Sequence, residues 1–324
     1  MNRIPSVLLA AAMAATAIAP VAARADSFPD RPITFVVPFA AGTATDQIAR
    51  ALGNGITAET KQPVVIDNRA GASGFIASQM VAKAPPDGYT VLITTNTTHA
   101  ANEHLYKKLP YDPVKDYAPV AALGKGGQIM VVNPSSPAKT VADFVAMAKK
   151  APGKYSFGSG SSSSRMAGEL LQQMAGIKLL HVPYKSNTLA VTDLLGGQID
   201  MMITDTATGL PQVKSGKLRA LGVSGARRST LAPEVPTIAE AGVKGYEMGY
   251  WFAAYAPAKT PPAVVRRLNE LLVKAAKSDA AKAAFYEPTG TEVFTTSPED
   301  LAKFQATESQ KWGRIVKAAG IEPE

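Results

Sequence analysis

The chain has 324 residues, a net charge of +8, no cysteine, and charged residues at 19%, below the usual quarter of a globular protein. Disulfides, thiolate metal sites and a lipid anchor on cysteine are thereby excluded, so a core of one large or two ordinary domains must hold the fold. The basic residues are scattered and not interleaved with aromatics, which argues against nucleic acid and for a mild positive field that draws in small anions.

The N-terminus carries the three zones of a secretory signal peptide. Arg3 supplies the charge, 7–21 is an Ala-rich apolar run, and Ala23-Arg24-Ala25 is a small-x-small cleavage site. Residues 1–25 are therefore predicted to be a signal peptide cleaved after Ala25, with a periplasmic destination. The apolar run is too short for the roughly 20 residues that a membrane span needs. Loss of Arg3 and Arg24 lowers the net charge from +8 to +6.

Strand-like and helical patterns then alternate. Runs 33–37, 64–66 and 90–94 read as strands, with helical spacing over 45–60 and 73–84. After Gly124, strands are predicted over 129–132, 155–158, 179–182, 199–203 and 218–223. Helices are predicted between them over 141–149, 163–175, 188–195 and 207–214. This alternation predicts an α/β fold with largely parallel sheets. Beyond Gly245 an aromatic strand over 246–256 is followed by helices over 261–277, 280–286 and 298–319, and a helical tail is most easily placed by returning to the first domain. The predicted division is 26–123 plus 248–324 for one lobe and 124–247 for the other, with a hinge and a cleft between them.

Four strand-end loops could hold an anion. In Pro38-Phe-Ala-Ala-Gly-Thr-Ala-Thr-Asp46 the small residues leave backbone N–H groups uncovered, and Thr45 or Asp46 can cap the helix. Neither a Walker lysine nor a dinucleotide glycine pattern follows. The stretch 94–106 is dense in hydroxyls and amides. Its His99 and His104 are five apart and lack a third ligand, so a structural role is favoured over zinc. Gly158-Ser-Gly-Ser-Ser-Ser-Ser-Arg165 reads as a helix N-terminus, where Arg165 opposes the dipole unless it meets an anion. Asp205 at the end of 199–203 caps the next helix or accepts a hydrogen bond from a ligand. Ser136-Pro-Ala-Lys139 matches a Ser-x-x-Lys pattern by letters alone, and no Gly-x-Ser-x-Gly elbow occurs, so the chain is not expected to be an enzyme.

Several stretches together resemble the Bug family of periplasmic solute-binding proteins, the receptors of tripartite tricarboxylate transporters. They include Phe28-Pro-Asp-Arg-Pro-Ile, the 38–46 loop, His99-Ala-Ala-Asn, Leu109-Pro-Tyr-Asp, Ala167-Gly-Glu-Leu and His181-Val-Pro-Tyr-Lys. Further along come Asp193-Leu-Leu-Gly-Gly-Gln-Ile-Asp200, Gly216-Lys-Leu-Arg-Ala-Leu and Val235-Pro-Thr-Ile-Ala-Glu-Ala-Gly. The resemblance implies a two-lobed Venus-flytrap receptor that closes on a small carboxylate. It needs no cofactor or metal, works as a monomer, and has membrane permease subunits as partners. Carried over by position, the first lobe would contribute Phe39, Ala41, Gly42, Thr43, Asp46, Thr95, Thr97 and Asn102. The second would contribute Ser161, Ser162, Arg165, Tyr184 and Asp205. Family members often have a second Gly where Thr43 stands, a Gly-Thr pair near Ser161-Ser162, and a His where Arg165 stands. The added hydroxyls and the fixed charge point to a dicarboxylate, aliphatic or aromatic. The competing readings are a sensor presenting the same ligand to a signalling membrane protein, and a secreted enzyme acting on a carboxylic acid.

Overall fold

A computed structural model describes residues 28–318 and 320–324; the signal peptide and its cleavage site lie outside the described residues. The strands are β1 (Ile33–Val37), β2 (Val64–Asn68), β3 (Thr90–Thr95), β4 (Tyr117–Val132), β5 (Ser156–Ser159), β6 (Leu180–Pro183), β7 (Met201–Asp205), β8 (Arg219–Val223) and β9 (Gly249–Pro257). They join in the order β2-β1-β3-β9-β4-β7-β5-β6, with β8 also on β4. Two lobes share this sheet. Residues 117–127 of β4 run antiparallel to β9, from Tyr117 opposite Pro257 to Gly127 opposite Gly249. From Gln128 onward the same strand pairs with β7, and from Ile129 also with β8.

The predicted strand over 129–132 is thus the last quarter of a 16-residue strand. Its earlier part, Ala-Ala-Leu-Gly-Lys-Gly-Gly, has little β propensity and is held extended by its neighbour across register shifts at Pro119/Ala121 and Ala122/Gly124. Gly126 is one reason the crossing works, because a Cβ there would lie 2.6 Å from the Tyr250 hydroxyl. The expected parallel character holds for β1–β3 and β5–β7, whereas the 128–132 part of β4 runs antiparallel to β7 and β8. β1 is parallel to β2 and β3, and β5 to β6 and β7. Where the lobes meet, β4 and β9 make the sheet mixed, since β9 runs antiparallel to both β3 and β4.

Helices cover both faces. α1 (Ala44–Thr60) buries Ile48, Ala49, Leu52 and Ile56 on one face. These pack in one cluster with Val265, Leu268, Leu271 and Leu272 of α8 (Pro262–Lys277). α2 (Phe75–Ala82) follows a 3-10 turn at Ala72–Gly74 instead of the single helix expected over 73–84; Gly71, Ala72, Ser73 and Gly74 all have positive φ, which breaks it. The hydroxyl-rich stretch after β3 is a π-helical turn, Thr97–Ala101, leading into the short α3 (Asn102–Leu105). In the second lobe α4 (Val141–Lys150) opens on a Thr140/Asp143 capping box. α5 (Ser162–Ala175), α6 (Asn187–Leu195) and α7 (Thr206–Lys214) each have an N-cap side chain accepting a backbone N–H: Ser161, Ser186 and Asp205.

The expected helix over 280–286 is a short turn, α9 (Asp279–Ala281), running into a π turn at Lys282–Tyr286 and then α10 (Glu287–Thr289). α11 (Pro298–Ala318) lies back on the first lobe, where its Gln305 Nε2 donates to the Pro113 carbonyl and its Oε1 accepts from Tyr255. The final residues pair with the chain after α3, Glu324 N–H donating to the Leu105 carbonyl and Lys107 N–H to that of Glu324. One hydrophobic cluster spans both lobes, from Val36 and Leu92 through Tyr255 and Trp312 to Phe157, Met166 and Ile203.

Candidate functional site

The loops that follow β1, β3, β5 and β7 converge with β4 and β9 on one cleft. In the 38–43 turn, the Thr43 hydroxyl donates to the Ala40 carbonyl at 2.7 Å and Gly42, at φ +81°, donates its N–H to Asp46 Oδ2 at 2.9 Å. Burial works against the Asp46 charge, but hydrogen bonds from Arg50 and the Gly42 N–H outweigh it and hold the carboxyl below its ordinary value. Asp46 is therefore a clasp that shapes the turn. The turn leaves Thr43, Ala44 and Thr45, at the N-terminus of α1, on the cleft wall beside Phe39.

Opposite them the β5–α5 loop brings Gly160, Ser161 and Ser163 to the wall. Gly160 is obligatory, because a Cβ there would sit 1.8 Å from the Ser186 carbonyl carbon. That close approach lets Gly160 N–H donate to Asn187 Oδ1 at 2.9 Å, while Asn187 Nδ2 donates to Asp205 Oδ2 at 3.1 Å. Asp205 Oδ1 accepts from the Thr208 N–H and hydroxyl at 2.9 and 2.7 Å. The wall is thus cross-braced from α5 through α6 to α7. The floor is Tyr250 and Phe252 of β9, rings 5.1 Å apart, with Gln128 of β4. Among the described residues that line the cleft none is Lys, Arg or His. An anion there would meet hydroxyls and the N-termini of α1 and α5, which carry partial positive charge.

Of the thirteen residues expected from sequence, Phe39, Thr43, Thr95, Ser161 and Asp205 line this cleft. Ala41 and Gly42 are exposed beside it. Ser162 and Asn102 face each other across the lobes, the serine hydroxyl donating to Asn102 Oδ1 at 2.7 Å. Thr97 Oγ1 lies 3.5 Å from Ser163 Oγ. Tyr184 donates to Asp193 Oδ2 at 2.8 Å, and burial together with that carboxylate pushes its hydroxyl up to about 12. Arg165 is off the wall, its guanidinium on Glu324 Oε1 at 2.6 Å with Glu169 3.9 Å away. The mismatch with the helix dipole is answered by the C-terminal residue's side chain.

The sequence reading passed over Gln128, Ser163, Asn187, Tyr250 and Phe252. The aromatic content of the apolar run 249–257 was the available signal for Tyr250 and Phe252, and the Ser run for Ser163; Asn187 and Gln128 carried none. His99 is absorbed by packing: its ring stacks on Tyr255 at 3.8 Å, and burial drives its pKa down to about 3. His104 Nε2 hydrogen-bonds Ser309 Oγ at 3.0 Å.

The profile described as tripartite tricarboxylate transporter family receptor matches residues 48–321. The chain belongs to this receptor family. Protein BugT of Bordetella pertussis is 36% identical over 299 residues, covering 91% of each chain. Among solved structures, R. palustris Rpa4515 with adipate superposes at a TM-score of 0.88 with 36% identity, covering 92% of this chain and all of that one. The periplasmic binding protein BugD superposes at 0.87 with 32% identity, over 92% of this chain and all of that one. The receptor family and these neighbours are solute-binding proteins, not enzymes. Among the described residues no helix is long and apolar enough to cross a membrane.

Proposed function

We propose that this receptor captures a small carboxylate in the periplasm and delivers it to the membrane permease of a tripartite tricarboxylate transporter. The observation that carries the reading is a cleft walled by two facing helix N-termini, with hydroxyls and no cationic side chain among its described lining residues. A carboxylate at each helix start gains about 0.3–2 kcal/mol from the partial charges there. Closure replaces its hydration shell with fixed donors, and the Kd expected for such a receptor is near micromolar, which corresponds to about −8 kcal/mol. The bound adipate of Rpa4515 supports a carboxylic acid and leaves room for a dicarboxylate. With Arg165 paired to Glu324, a second carboxylate would be held by the α5 N-terminus and its serines, not by a guanidinium.

The lobes are taken as 26–123 plus 248–324 and 124–247, a division supported by the exchange of β4's partners at Gly127 and Gln128. Residues 1–25 direct export and are cleaved after Ala25. The receptor acts as a monomer that the permease reads in its closed state. Thermal unfolding of residues 26–324 against a panel of mono-, di- and tricarboxylates, amino acids and sugars tests this. A ligand at a hundred times its Kd adds about 2.7 kcal/mol, so one or a few acids should raise Tm by several degrees. A shift with sugars and none with any acid would overturn the reading.

A further inference from the structure

On one edge of β4, β9 gives way to β8 at a single junction. In the β4–β9 ladder Lys125, Gly126 and Gly127 stand opposite Trp251, Tyr250 and Gly249, so Gln128 and Met248 would form the next pair. Ser224 lies between them instead. It continues the β8 register, in which Val223 stands opposite Ile129, and it takes all four backbone groups of the would-be pair. Its hydroxyl accepts from the Gln128 N–H at 2.6 Å and donates to the Met248 carbonyl at 2.5 Å. Its own N–H donates to the Gln128 carbonyl at 2.8 Å, and its carbonyl accepts from the Met248 N–H at 2.9 Å. All three residues are buried, so bulk water cannot take the place of any of these bonds.

The chain passes between the lobes near Gly124 and again near Met248, and this one residue ties the two passages together. The last direct pair before it is Gly127 opposite Gly249, where no side chain resists a change of backbone angle. A rung that runs through a hydroxyl contains two hydrogen bonds in series, so the strands can turn relative to each other while both bonds stay made. The contact of Ser162 with Asn102 across the lobes can part, because an opened cleft admits water to both groups. The four groups at the junction have no such substitute, and leaving them unpaired would be costly.

We propose that Ser224 is the pivot of lobe closure, holding β4 to the start of β9 while the lobes turn about it. The inference rests on the closing receptor described under the proposed function and adds the axis of its motion.

The chain has no cysteine, so spin labels can be placed at will on residues 26–324. Val65 on β2 and Leu180 on β6 lie at opposite ends of the sheet and are 51% and 58% exposed. Labels on Val65→Cys and Leu180→Cys report the distance between lobes by electron paramagnetic resonance. Without any acid, Ser224→Ala is expected to give a distance distribution about twice as wide as that of wild type. Ser224→Thr, which keeps the hydroxyl, should restore the wild-type width. Ser156→Ala is the control, because that hydroxyl bridges the Asp200 N–H and carboxylate inside the second lobe; it should lower Tm without widening the distribution. A Ser224→Ala distribution as narrow as those of wild type and Ser156→Ala overturns the proposal and leaves Ser224 a clamp for stability alone. If Ser224→Ala does not fold, amide exchange of the acid-free wild type decides. A pivot keeps the Gln128 and Met248 amides as protected as those of Ala253 and Ala254 in mid-β9, and exchange about tenfold faster overturns it. If succinate, malate or adipate raises Tm yet leaves the wild-type distance unchanged, lobe closure itself falls and the pivot with it. The comparison of widths needs no acid, so a failure of carboxylate capture alone does not alter its result.

Discussion

Gly160 shows how a single residue sets the site. With a Cβ 1.8 Å from the Ser186 carbonyl carbon, Gly160→Ala must push the α5 and α6 starts apart and break the Gly160–Asn187–Asp205 brace. Calorimetry should record at least a tenfold loss of affinity for the selected acid, with a Tm lower by several degrees. His99 makes a prediction of a different kind. Its folded pKa, near 3, lies below the ordinary 6.5, so the unfolded chain binds the proton more readily. Stability is then nearly complete above about pH 7 and declines as pH falls toward 3, by about 2.5 kcal/mol between pH 7 and pH 4.5 from this group. Urea melts at pH 7 and 4.5 should show that decline, and His99→Phe should flatten it. His181, held near 4 by burial and the Arg165 charge, adds slope of the same sign. The burial of His99 was beyond sequence reasoning, because its partner Tyr255 is 156 positions away. Thr43 and Ser161 were legible, since loops ending strands and starting helices announce themselves locally.

At the scale of elements, amphipathic helices and apolar strands were readable from their periods, and the segments whose form depends on a neighbour were not. β4 is the clearest case. Its Gly-Lys-Gly-Gly stretch has little strand propensity, yet β9 holds it extended through the crossing. Gly126→Val should drive Tyr250 off the cleft floor and lower ligand affinity severalfold while the fold persists, as fluorescence titration would record. The C-terminal tail is the other case. Arg165 looked like a lone cation at a helix start until the chain's last residue was brought to it. That pair is partly exposed, Glu324 at 56%, so Arg165→Gln and Glu324→Gln should each change affinity by about 0.5–1 kcal/mol, and the double variant by no more than either single change. A hundredfold loss in Arg165→Gln alone would assign the guanidinium to the ligand instead.

For the whole molecule, the two lobes meet through the β4–β9 ladder and through side-chain contacts such as Ser162 with Asn102, Thr206 with the Thr289 carbonyl and Arg165 with Glu324, beside a hydrophobic cluster that both share. In the proposed closing mechanism, a ligand in the cleft shifts the equilibrium by as much as its affinity differs between open and closed forms. The two-lobed α/β class was legible from the alternation of elements; the way the lobes share one mixed sheet was not, because the strands that join them have no local signature. The central claim is that the cleft holds a carboxylate on neutral donors. Titration calorimetry of residues 26–324 with the acid selected by thermal shift, and with its methyl ester, tests it most directly. Micromolar binding of the acid with at least a hundredfold loss for the ester is the predicted result; equal binding of acid and ester would contradict it.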